Sequence, residues 1–249
     1  MAKSSGIIKI EGTVEDLTFY KKDGKSFVRK KGGIPKERIA NDPNFVRTRE
    51  NNNEFSHSGS SGKVLKLAIG SMVFKAKDSK LSSRLLQLMS KIKNLDAVST
   101  RGNRQVANGL ATAEGKQLLK GFDFNANAPL KNVFFAPYNL DTASGVFTIT
   151  DFIPVEQLQF PQGATHISLQ SAVVHVDFAT QESEVAVSAI VNLPLNLTLS
   201  TSVLTPSSVP SGTGVQLFLL MISFYQEVNG VQYSLRNEEY NVLNIVDVV

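Results

Sequence analysis

The hydrophobic pattern changes period near Gly121, and that change confines the chain to a mixed fold. Before it, apolar residues recur every three to four positions. Val64, Leu65, Ala68, Ile69 and Met72 make one stripe, and Leu81, Leu85, Leu88, Met89 and Ile92 make another. After it, apolar and polar residues alternate in runs of strand length, at 122–125, 132–136, 145–152, 166–178, 183–192, 195–200, 215–227, 231–235 and 240–248. Asn229-Gly230 signals a hairpin, residues 179–181 a second turn, and the Ser/Pro/Gly-rich stretch 206–214 a long loop. The expectation is an α+β chain. A basic N-terminal β-hairpin arm with short helices occupies 1–62, a helical region 63–120, and a jelly-roll-like antiparallel β-sandwich 121–249.

Charge divides the chain at the same place. Residues 1–120 carry 24 basic and 11 acidic side chains, net +13, while residues 121–249 carry 2 and 11, net −9; together these give the +4 of the whole. The most basic stretch is 21–49, with ten Lys/Arg against Asp23, Glu37 and Asp42. It opens on a strand-like Leu17-Thr-Phe-Tyr-Lys21, turns at Asp23-Gly24, where φ > 0 is needed, and returns over 26–30. A weaker alternating run at 6–10 precedes it as an edge strand. Two or three strands alone are marginal in water, so this hairpin needs a surface to lie on. Gly32-Gly33 ends it, 35–40 has room for one helical turn, and Asp42-Pro43 is a helix start with Asp42 as cap. That helix is expected to run to Phe55, anchored by Phe45 and Phe55, with 56–62 as a polar linker. A second cap, Asp78, precedes the second stripe, whose edge carries Lys80, Arg84 and Lys91. A short helix is expected over 114–119, closed by Gly121.

Composition narrows the function classes. A chain of 249 residues buries a core without staples, and the absence of Cys removes disulfides, thiolate nucleophiles and Cys-bound metals. No apolar run approaches the ~18–20 residues that span a bilayer, and the first residues do not resemble a secretory signal. The expected location is therefore the cytoplasm or a particle assembled inside a cell. Of the three histidines, His175 shares a strand face with Asp177, and Glu182 shares one with Glu184. Both patterns are ordinary for a half-exposed strand. Gly59-Ser-Ser-Gly62-Lys63 fails the spacing of a phosphate loop, because residue 57 is His and residue 64 is Val. No catalytic residue, cofactor, metal or small-molecule substrate is expected, and the chain is read as a non-enzyme.

Glu-Gly-Thr…Leu-Thr-Phe-Tyr-Lys at 11–21, Arg-Lys-Lys-Gly-Gly at 29–33, Asn-Asp-Pro-Asn-Phe-Val-Arg-Thr-Arg-Glu-Asn at 41–51, Leu-Leu-Lys-Gly-Phe-Asp-Phe-Asn at 118–125 and Phe-Tyr-Gln-Glu-Val-Asn-Gly at 224–230 resemble a group of bacterial proteins of about this length. The resemblance runs through the whole chain. It implies a shared fold and lends no site residues, since no activity goes with that group. A basic arm ahead of a β-rich body is also the layout of many shell-forming proteins, an analogy of fold alone.

Two functions follow. In the first, the protein self-assembles into a shell, tube or filament. Phe19, Tyr20 and Phe27 anchor the arm, and Lys21, Lys22, Lys25, Arg29, Lys30, Lys31, Arg47 and Arg49 meet the acidic β body of a neighbouring copy. In the second, the same cations lie on the phosphates of a nucleic acid while the aromatics stack on bases. The expected partners are thus the chain itself and, in the alternative, nucleic acid, with no membrane.

Overall fold

Asp23-Gly24 forms the turn its composition demands, with φ of 51° and 73°, and the strands on either side close a hairpin. The computed structural model describes residues 2–3 (backbone only), 10–235 and 239–249. The described chain forms two compact units, Met1–Arg49 and Glu50–Val249. In the first, β1 (Ala2–Lys3), β2 (Gly12–Val14), β3 (Leu17–Lys22) and β4 (Lys25–Lys30) make an antiparallel sheet in the order β1-β4-β3-β2. Glu15, at φ 50°, turns β2 into β3. Both β1 and β2 thus flank the hairpin as edge strands; the strand expected at 6–10 lies, for residues 6–9, outside the described residues.

Helix α1 (Lys36–Asn41) is followed by a 3-10 turn at Pro43–Phe45. Asp42 caps this turn as expected, its Oδ1 accepting the Asn44 N–H at 2.9 Å. Helix α2 (Val46–Ile69) then runs on without a break. This corrects two expectations. The stretch 56–62 is not a linker but mid-helix, and Phe55 anchors nothing, being 62% exposed. The physical reason is size: Ser58, Ser61 and Gly62 are buried, and the two hydroxyls donate back to the Glu54 and His57 carbonyls. A small, internally bonded face lets another helix approach, and at Gly62 a Cβ would lie only 3.4 Å from Leu85 Cβ.

Beyond α2 the chain breaks at Gly70 (φ 66°) and continues as α3 (Ser71–Lys75), α4 (Leu81–Lys93), α5 (Val106–Leu110) and α6 (Ala113–Leu119). The two stripes read from the sequence face inward, with Leu65, Ile69, Met72, Leu81, Leu85, Met89 and Ile92 all buried. Gly121, at φ 78°, follows α6 as expected.

The C-terminal half holds α7 (Leu130–Val133), β5 (Asn139–Asp141), β6 (Val146–Phe152), α8 (Pro154–Gln157), β7 (His166–Val176), β8 (Ser183–Val187), β9 (Val191–Pro194), β10 (Ser200–Leu204), β11 (Val215–Val228), β12 (Val231–Ser234) and β13 (Val242–Val248). One sheet is ordered β10-β6-β5. The other, a curled half-barrel, is ordered β12-β11-β7-β8, with β13 also on β11 and β9 also on β7. Every pairing is antiparallel.

The α+β architecture with two antiparallel sheets is as the sequence indicates. The large sheet has helices on one face and the small sheet on the other. Ala172, Val174, Leu217, Leu219 and Met221 pack with the helices, while Leu169, Val173, Phe218, Leu220 and Ile222 pack with Phe147, Ile149 and Leu204. Burial on both faces explains why the centre of β11, Leu217–Ile222, is apolar without alternation.

Several strand expectations shift for local reasons. Residues 132–136 begin as α7, because Asp123 Oδ1 accepts the Leu130 N–H at 2.9 Å; only the bridge Phe134↔Leu158 follows. Residues 195–199 turn rather than extend, since Asn196 Oδ1 takes the Thr198 N–H, and the strand starts at Ser200. Within 183–192, the Ser188 hydroxyl accepts the Ser171 N–H and donates to the Ala189 carbonyl, separating β8 from β9. Residues 122–125 contribute the bridge Asp123↔Asn244 instead of a strand.

Candidate assembly arm

The register of the arm sheet decides which of its side chains act together. Tyr20 lies opposite Phe27 and Thr18 opposite Arg29, so these four share a face, with Lys22 and Lys25 beyond them at the turn. The Tyr20 and Phe27 rings stack at 5.7 Å, and the Arg29 guanidinium lies 5.5 Å from the Tyr20 centroid. Phe19 points the other way. It lies opposite Val28, beside the pair Leu17 and Lys30, and Val14 continues that face across β2. The three aromatics named from the sequence therefore divide between two faces: one with the Tyr20–Phe27 pair beside Arg29, Lys22 and Lys25, the other with Phe19, Leu17, Val28 and Val14 alongside Lys21 and Lys30. Alternation along a strand makes this division legible in the sequence, because residues 19 and 20 are adjacent.

None of the described residues from Ile10 to Arg49 is buried; Phe19, Tyr20, Phe27 and Val28 are half-exposed and Val14 and Leu17 exposed. Such a sheet leaves apolar surface in contact with water on both faces.

The basic residues are unequally disposed. Lys21 pairs with Glu11 at 2.6 Å on the exposed surface. Lys22 and Lys25 face each other across the hairpin end, and the Lys31 backbone N–H closes the β2–β3 turn region on the Asp16 carbonyl at 2.5 Å. Arg49 works within the unit, its Nη1 donating to the carbonyls of Ile39 (2.8 Å) and Asp42 (3.0 Å), which holds the end of α1. Arg47 is exposed. The Asn44 N–H and then the Arg38 guanidinium keep the Asp42 carboxyl below its usual range.

Outside the arm, one member of the polar pairs read from the sequence, Asp177, holds structure. Asp177 accepts from Thr213 Oγ1 at 2.8 Å and from the Ala179 and Thr180 N–H groups, tying the turn to the long loop. Glu184 lies opposite His175 across β7–β8. Among the described residues, no group of three or more His, Asp or Glu is placed to hold a metal.

Sequence reasoning missed a buried ionic cluster. Glu54 in α2 accepts from Lys93 at 2.5 Å, from Arg104 Nε and Nη2 at 2.8 Å each, and from the Gly102 N–H at 2.8 Å. The Arg104 bond is the main reason its carboxyl falls to about 2, against the opposing effect of burial. Next to it, His57 Nε2 accepts the Val106 N–H at 3.0 Å, and burial lowers its basicity. Asp96 accepts from the Val98, Ser99 and Gln105 N–H groups and from Asn108. Burial opposes its ionisation, yet these donors keep its carboxyl low. The partners of Glu54 and His57 lie about 40–50 positions away in sequence, so no local pattern signals them.

Comparison with protein-family models, with curated proteins and with solved structures found no match.

Proposed function

We propose that this chain is a structural subunit that self-assembles, its basic arm docking on the acidic β body of a neighbouring copy. The observation that carries this reading is a four-stranded arm sheet with no buried described side chain and apolar groups on both faces. Strands of this kind gain stability by adding to a sheet edge or lying on a second surface. The net −9 of residues 121–249 against +7 for residues 21–49 selects that surface by sign and steers the encounter. Tyr20 and Phe27 are the anchors of one face, beside Arg29, Lys22 and Lys25; Phe19 lies on the other.

Removing residues 1–33 leaves a folded body that no longer assembles, as checked by circular dichroism and negative-stain microscopy. Particles or fibres formed by the truncated chain would sink the proposal.

One observation favours a second reading. The stacked Tyr20–Phe27 pair, flanked by Lys22, Lys25 and Arg29 on the same face, has the composition of a single-strand nucleic-acid platform. A gel-shift series decides it. With 6–10 phosphate contacts, affinity falls roughly 10³–10⁵-fold between 50 and 200 mM salt, and no shift at low salt removes it.

A further inference from the structure

Where α2 gives way to α3, the helical layer carries a groove of about 480 Å³. Its floor is aliphatic, with Val73 and Leu81 almost fully buried, and its rim carries Leu67 and Phe74, each 68% exposed. Lys63, Lys66 and Lys77 border it. Lys66 Nζ donates to Ser82 Oγ at 3.0 Å, and Lys77 Nζ lies 4.7 Å from the Phe74 ring centroid. The acid in the lining, Asp78, is already engaged by Arg84 and by the Lys80 and Ala126 N–H groups. Among the described residues, no carboxylate forms an ion pair with any of the three lysines.

We infer that this groove binds an anionic amphiphile, an alkyl-chain carboxylate whose chain lies on Leu67, Val73, Phe74 and Leu81 and whose head sits among the lysines. Three observations choose this occupant. The volume lies within the roughly 300–1,000 Å³ of small-ligand sites, whereas a stable protein partner covers about 800 Å² per side. Three cations without a carboxylate partner around an apolar floor call for a ligand with one charged end and one greasy end. The arm of a second copy is itself cationic, and a stacked base is disfavoured because Lys77 already covers Phe74 above an aliphatic floor. The inference is independent of assembly through the arm.

The test is calorimetric titration of the full chain with decanoate below its micelle concentration, with decanol and acetate as chain-only and head-only controls. Decanoate binds saturably at one site, and both controls bind at least about tenfold more weakly, a difference of ~1.4 kcal/mol. Lys66→Ala/Lys77→Ala and Phe74→Ser each weaken decanoate by about tenfold or more, with melting curves confirming that these surface variants fold. No saturable uptake, equal binding of decanol, or unchanged binding by the variants overturns the proposal. Retention on phosphatidylglycerol vesicles without binding of free decanoate assigns the face to a lipid surface and also overturns it. So does a Leu67→Ser/Phe74→Ser variant that loses assembly mass while the parent ignores decanoate, which assigns the face to a second copy.

Discussion

Glu54 is the residue on which the helical layer turns, because one carboxylate satisfies two cations and a backbone N–H. Removing one member of a buried ion cluster leaves the others uncompensated, so Glu54→Gln lowers stability by about 3–5 kcal/mol in denaturant titrations. The same residue sets an acid dependence. Its carboxyl is held at about 2 in the folded chain against an ordinary 4.5, so the unfolded chain takes up the proton first as pH falls. The contribution is complete above about 4.5 and disappears as pH approaches 2. Stability curves of the parent and of Glu54→Gln therefore converge over that window. Parallel curves would show that the charge of Glu54 contributes nothing to folding.

At the scale of the element, glycine positions separate packing from freedom. Gly59 lies inside α2, and a Cβ there meets only Leu86 Cδ1 at 3.8 Å. Gly59→Ala therefore raises stability by roughly 0.5–1 kcal/mol, the ordinary cost of glycine within a helix. Gly109 in α5 is the opposite case, since a Cβ there would sit 2.1 Å from the Ile92 carbonyl oxygen at the end of α4. Gly109→Ala forces the two helices apart and lowers the melting temperature sharply. Equal melting temperatures for the two variants would contradict this packing. The same contrast explains the misread linker: residues 56–62 are polar and small, which on a solitary segment means loop, yet against α4 means close approach. Phe55 errs the other way, since a large ring in a helical window reads as an anchor until the buried face is known.

For the molecule as a whole, the proposal is a charge-steered assembly with an aromatic anchor, and the two contributions separate by salt. The Debye length shrinks from about 8 Å at physiological salt to about 3 Å at 1 M. Assembly mass measured by light scattering therefore falls as salt rises, while Tyr20→Ser/Phe27→Ser lowers it at every salt concentration. A mass unmoved by either change removes the arm from the joint.

Much of this organisation follows from local pattern: the hairpin at Asp23-Gly24, the Asp42 cap, the stripes of α2 and α4, the change of period at Gly121, and the opposed charges. Apart from the charge division, which is a sum over each half of the chain, each depends on neighbours within one or two turns, where backbone sterics and side-chain spacing act directly. Only the tertiary structure decided that 56–62 stays helical, that Glu54 meets Lys93 and Arg104, and that Leu67 and Phe74 border a lysine-rimmed groove. Those outcomes depend on which distant surfaces exclude water together, a property that no stretch of sequence carries alone.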